Sequence, residues 1–278
     1  MKKPLHLSLV ILLVLTCLLT AAGCQKSEPT PTIILSNTTS PSVATDLPTG
    51  TTTAPATTTT APVTTTTTTT ATATTTAKPT SGTANAAFPD TLFIGDSRTY
   101  GFVCYNIDVP GATFFCAESL NVYTVMKNTV NVPGVGAVTL EQLLRQKQFK
   151  QVYMMFGLNE IGSDYNATVS KYQQVIDLVA STQTNAKFII QSALHVTKAT
   201  SDKNESIGKV FNNTRINALN ALLVKLADNN TVFYVDINAK FDDANGGLST
   251  EYAAGDGMHV KVGAYKVWRD YLYANRIA

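Results

Sequence analysis

Residues 88–278 predict an α/β domain: a five-stranded parallel sheet between two helical layers, a three-layer α/β/α sandwich. Two observations carry that reading. Five short apolar runs are continuous rather than alternating, as expected of strands buried on both faces. The stretches between most of them repeat apolar residues at helical spacing, and strand–helix alternation is the signature of a parallel sheet. About 190 residues, Phe88 to Ala278, are enough for one domain with a full core.

In chain order, Thr91 to Ile94 is the first run, ending at Gly95, and Ala112 to Cys116 is the second. Leu140 to Phe149 is a short helix candidate. Gln151 to Phe156 is the third run, ending at Gly157, and Val169, Tyr172, Ile176 and Val179 then mark one helix face. Phe188 to Ala193 is the fourth run, and Ile216, Leu219, Leu223 and Leu226 mark the next helix. Val232 to Ile237 is the fifth, and Tyr265, Trp268 and Leu272 close the chain with a last helix. In such sheets ligands bind beyond the C-terminal strand ends, near the point where strand order reverses.

The N-terminal part has a different composition. Lys2 and Lys3 precede a mostly apolar run from Leu5 to Leu19, then small residues and Cys24. That order reads as a signal peptide over residues 1–23, the run of about 15 residues falling short of the roughly 20 that span a bilayer. Ala21-Ala22-Gly23-Cys24 resembles the bacterial lipobox, which implies lipidation of Cys24 and stable anchoring. Residues 24–86 are dominated by Thr with Pro, Ala and Ser, including Thr64 to Thr70 unbroken. Such a composition cannot bury enough apolar area to offset chain entropy, so the segment is expected to be a disordered stalk. The predicted location is therefore extracytoplasmic, at the cell surface, with the membrane reached only through the lipid on Cys24.

The 21 basic and 19 acidic residues leave a net charge of +2, which gives no field for nucleic acid. No cluster has metal-ligand spacing, and neither a metal nor a cofactor is expected. Of four cysteines, Cys104 and Cys116 fall in the domain, where they could pair outside the cytoplasm; two unbridged thiols are the preferred alternative.

Three short blocks carry the chemistry. Gly95-Asp96-Ser97 follows the first strand, Gly157-Leu158-Asn159-Glu160 the third, and Asp256-Gly257-Met258-His259 precedes the last helix. A Ser hydroxyl needs a neighbouring base, and His is the side chain that titrates near neutrality. His6 leaves with the signal, so the base is His195 or His259. Asp256, three residues before His259, can fix its tautomer; Asp236, Asp242 and Asp243 are rivals that spacing disfavours. His195 reads as a loop histidine near the cleft. Arg98 reads as a helix-start Arg paired with a nearby acid, the alternative being contact with an anionic substrate group. Phe241 to Gly255 reads either as a mobile loop over the site or as a passive connection.

Together, in order and at these positions, the blocks resemble those of the SGNH, or GDSL, hydrolases, which carry G-D-S, G-x-N-D and D-x-x-H. The resemblance covers the whole of residues 87–278. It implies a flavodoxin-like sheet and a serine esterase with Ser97 as nucleophile, His259 as base and Asp256 as its orienter. It also implies an oxyanion hole made by the backbone N–H of Ser97, a backbone N–H after the second strand, and the Asn159 amide. Two positions depart from the pattern: Glu160 stands where Asp is usual, and Ala117-Glu118-Ser119-Leu120 lacks the usual Gly, with Ser119 the best match. The substrate implied is an acyl ester, and surface display favours O-acetylated carbohydrate or wall polymer acted on by a monomer. A lysophospholipase, thioesterase or acyltransferase would use the same residues. A non-catalytic carbohydrate- or wall-binding module is the rival from another class.

Overall fold

In the computed structural model, residues 87–277 are described. The signal peptide, Cys24 and the Thr-rich segment lie outside them. The described order is β1 (Thr91–Gly95), α1 (Ser97–Cys104), β2 (Ala112–Cys116), β3 (Val130–Val132), β4 (Gly136–Val138), α2 (Leu140–Gln146) and β5 (Gln151–Met155). Then come α3 (Tyr165–Thr182), β6 (Lys187–Gln191), α4 (Lys198–Ser206), α5 (Asn213–Leu223), β7 (Val232–Val235), α6 (Asn238–Phe241) and α7 (Val262–Ala274).

Five strands form one parallel sheet in the order β2-β1-β5-β6-β7. Order reverses between β1 and β5, so the crevice lies beyond Gly95 and Met155, which are directly paired. Strand alternation sends Leu92, Ile94, Val152 and Met154 to one face, where α2, α3 and α5 cover them with Leu143, Tyr172, Val175 and Leu219. Phe93, Tyr153, Met155 and Ile189 face the other way, against Phe102 of α1 and Tyr265, Trp268 and Leu272 of α7. The second core is aromatic: Phe93 stacks on Phe114 at 5.1 Å and Phe102 meets Tyr265 edge-on at 4.9 Å. Helices α1 and α7 cross so closely that a Cβ on Gly101 would sit 1.9 Å from the Tyr265 hydroxyl oxygen.

The helices start where their caps dictate. Thr139 and Gln142 form a capping box on α2, and Asp164 and Asn212 cap α3 and α5 by accepting from Ala167 and Arg215 N–H. A small antiparallel pair, β3 with β4, is an addition to the sequence reading; it buries Val130, Val132 and Val138 in the first core. The segment after α6 is neither a loose flap nor a bare connection. Phe241 and Leu248 are buried in the second core, bridges join Asp242 to Leu248 and Ala253 to Val260, and Phe241 packs edge-on against Tyr252 and Trp268.

Cys104 and Cys116 are not joined. Cys116 pairs with Gly95 at the end of β2, whereas Cys104 ends α1, which starts just past Gly95 and runs back. Cys116 is a buried thiol, pushed up to about 12 by burial and by the nearby Asp96 charge.

Candidate active site

Ser97 opens α1 in the first turn beyond β1, at the crevice. The turn is held by Asp96, whose carboxylate accepts the Arg98 N–H at 3.0 Å and caps the helix. Ser97 Oγ lies 2.9 Å from His259 Nε2, across 162 residues of sequence. His259 Nδ1 lies 2.6 Å from Asp256 Oδ2. A carboxylate only accepts, so Nδ1 carries the proton and Nε2 is left with a lone pair facing the Ser97 hydroxyl. Asp256 Oδ1 also accepts the N–H groups of Met258 and His259, both at 2.9 Å. Partial burial pushes the Asp256 carboxyl up, but the His259 ring and these two N–H groups outweigh it and hold it below the usual carboxylate range. The His259 and Asp256 side chains are 39% and 41% exposed, so the pair sits at an open cleft reachable by substrate.

The rival acids are engaged elsewhere. Asp236 accepts the Asn238 N–H, Asp243 the Asn245 N–H, and Asp242 pairs with His195. His195 is buried, with Nδ1 2.9 Å from Asp242 Oδ2 and Nε2 2.8 Å from Asn217 Oδ1. It ties α5 to the segment after α6 rather than standing loose beside the cleft.

Arg98 corrects both sequence readings: among the described residues no ion pair with an acid is formed, and the side chain, 1% exposed, cannot meet a substrate. Its Nε and Nη2 donate to the Met258 carbonyl at 3.0 and 2.7 Å, and its Nη1 donates to the Leu194 carbonyl. One guanidinium thus ties the Ser97 turn to the Asp256–His259 turn and to the segment after β6. Burial lowers the Arg98 pKa, and burial likewise raises that of Asp96 against the pull of Arg98.

On the opposite side of the crevice, Asn159 follows β5 and its Nδ2 donates to the Leu120 carbonyl at 3.2 Å. Ser119 is exposed on the turn after β2, which closes through Leu120 N–H to Ala117 O at 3.2 Å. Gly157, two residues before Asn159, has φ +145° and lies against the segment after β6, where a Cβ would stand 2.5 Å from that of Ala193. Buried Glu160 accepts the Val122 N–H at 2.7 Å and the Gly157 N–H at 2.8 Å. The structure thus brings Ser97, His259 and Asp256 into one hydrogen-bonded chain and ties Asn159 to the turn bearing Ser119. Arg98 and Glu160 are the site-building residues whose partners sequence reasoning missed; a charged residue directly beside a motif position was the available signal.

A serine whose hydroxyl faces a histidine that is in turn held by a carboxylate, at the switch point of a parallel sheet, has the arrangement of a serine nucleophile with its base. The chain is a member of the GDSL-like lipase/acylhydrolase family, whose profile matches residues 93–267. Among solved structures it is similar to a Streptococcus pneumonia protein assigned as a platelet activating factor, at 20% identity and TM-score 0.52, covering 66% of this chain and 82% of that one. It is also similar to a GDSL-like lipase from Bacteroides thetaiotaomicron, at 18% identity and TM-score 0.48, covering 64% and 83%. At such identity the first likeness speaks to the fold alone. Comparison with curated proteins gave no match.

Proposed function

We propose that this chain is a surface-anchored serine esterase that removes small acyl groups, acetyl above all, from carbohydrate or cell-wall esters. The observation that carries the reading is the hydrogen-bonded chain Ser97–His259–Asp256 at an open cleft. Ser97 Oγ attacks the ester carbonyl carbon while its proton passes to His259 Nε2. Asp256 holds the imidazole and stabilises the imidazolium. The tetrahedral oxyanion is received by the backbone N–H groups of Ser97 and Ser119 and the Asn159 amide. His259 then gives its proton to the departing alkoxide, leaving an acyl-Ser97. Water enters, loses a proton to His259 and releases the carboxylic acid as Ser97 recovers its hydroxyl.

The small-acyl preference rests on Ser119, whose Cβ and hydroxyl occupy the turn where the family pattern has Gly. The polymer substrate rests on the N-terminal sequence: a lipid on Cys24 and a Thr-rich stalk over residues 24–86 would hold the 87–278 domain outward, away from the bilayer. The test is turnover of para-nitrophenyl acetate by the full chain and by Ser97→Ala. Rapid release of nitrophenol that Ser97→Ala abolishes supports the reading; an inactive wild type, or equal rates, defeats it.

A further inference from the structure

Glu160 is 1% exposed, and among the described residues it forms no ion pair. A buried carboxylate without a cation is costly, and an apolar side chain would fill the space at less expense if filling it were the only need. What the carboxylate does is specific. Oε2 accepts the Gly157 N–H, at the start of the turn that carries Asn159, and Oε1 accepts the Val122 N–H, just past the turn that carries Ser119. The same two turns are joined a second time by Asn159 Nδ2 donating to the Leu120 carbonyl. Two elements 38 residues apart in sequence are thereby held at one separation by one side chain.

We propose that Glu160 is the positioning residue of the oxyanion side: its ionised carboxylate splints the β2 and β5 turns so that the Ser119 N–H and the Asn159 amide converge on one oxygen. This rests on the esterase reading above. Length matters as well as charge. Asp, the residue of the family pattern, is one methylene shorter, so at this backbone position its carboxylate reaches less far toward the Val122 N–H. Protonation matters too, because it turns one oxygen into a hydroxyl, a weaker acceptor for its N–H, and removes the charge that strengthens both bonds. The ionisable groups facing Glu160 are Asp96, from the β1–α1 turn, and Tyr172, from α3. Burial first, and then the Asp96 charge, push the Glu160 carboxyl up to about 7 against the Val122 and Gly157 N–H groups. Loss of the splint thus falls within the pH range of the assay below.

The experiment compares the wild-type full chain with Glu160→Gln, Glu160→Asp and Ser97→Ala on para-nitrophenyl acetate from pH 5 to 9. In Glu160→Gln we expect kcat to fall by about 10- to 100-fold, less than the 10²–10³ for deleting an oxyanion donor outright, with KM within about twofold. On the acid side, the wild-type slope of log kcat/KM against pH should approach two, because His259 and Glu160 must both be deprotonated; in Glu160→Gln it should fall to one. Glu160→Asp should lose kcat yet keep the steep limb. Wild-type kcat and a steep limb in folded Glu160→Gln overturn the proposal. A wild-type slope of one overturns it without any variant, should the variants fail to fold. An inactive wild type, or an active Ser97→Ala, overturns the esterase reading as well. An active wild type with inert Ser97→Ala and normal Glu160→Gln overturns only the splint.

Discussion

Replacing Arg98 by Met should cost the domain a large share of its stability. Met keeps most of the apolar stem's packing and removes the guanidinium. The Met258 carbonyl then loses both its donors and the Leu194 carbonyl loses one, in a region where Arg98 is 1% exposed and water has little access. Each buried acceptor left unmade costs about 1–3 kcal/mol, so the pair accounts for roughly 2–6 kcal/mol. Asp96 also loses the neighbouring positive charge that opposes its burial, which moves the loss toward the upper part of that range. A net loss of about 4–6 kcal/mol is therefore expected, against the roughly 5–15 kcal/mol that a whole domain has. The assay is guanidinium unfolding at pH 7 followed by circular dichroism, where the midpoint should drop with little change in slope. Arg98→Lys keeps the charge but not the fork, and should recover less than half of the loss. A loss below about 1 kcal/mol in Arg98→Met, with wild-type turnover, would refute the reasoning that the guanidinium holds these turns together.

Ser97→Ala and His259→Ala should each lower turnover by about 10⁴- to 10⁶-fold, with near-native circular dichroism, whereas His195→Ala should leave turnover mildly changed and lower the melting midpoint. Across acetyl, butyryl and octanoyl esters of one alcohol, kcat/KM should favour acetyl by about tenfold to a few hundredfold, and Ser119→Gly should flatten that preference; rates level with chain length in the wild type would remove the small-acyl reading. Glu160 makes a stability prediction of its own. Its folded carboxyl lies near 7, above the ordinary 4.5, so the native state keeps a proton that the unfolded chain has released, and stability should fall as pH rises through that window. The full effect is about 3 kcal/mol, read as a melting midpoint that declines from pH 5 to 7.5 in the wild type and less so in Glu160→Gln.

The sheet was legible because its strands are covered on both faces: continuous runs such as Val152 to Met155 have no solvent side to interrupt them. The β3–β4 pair was not, since three-residue strands are too short to show a period, and only Val130, Val132 and Val138 mark it. Helix α4 was equally silent: Lys198 to Ser206 is polar but for Ala199, buries only Ser201, and starts because Thr197 caps it. Ser97, Asn159, Asp256 and His259 could be read from short blocks because each block sits at a strand end or turn that sequence also marks. Arg98 and Glu160 could be seen but not interpreted. Their partners are backbone groups of Met258, Leu194 and Val122, which sequence supplies at every position and which only the folded chain selects.

The acid–base half of the site is built almost wholly within four residues. Asp256 reaches His259 through its side chain and through two N–H groups of the same turn, so the imidazole's orientation is set by local geometry rather than by the rest of the domain. Only one long-range distance, Ser97 to His259, then has to be met. Asp256 to His259 therefore behaves as a cassette, docked by the Arg98 fork on the Met258 carbonyl and by the Thr197 N–H on the Gly257 carbonyl at 2.8 Å. Segments beyond the Ala253–Val260 bridge can then vary in sequence without retuning the imidazole, which leaves the rim of the cleft open to variation in what it admits while the proton-transfer machinery stays fixed.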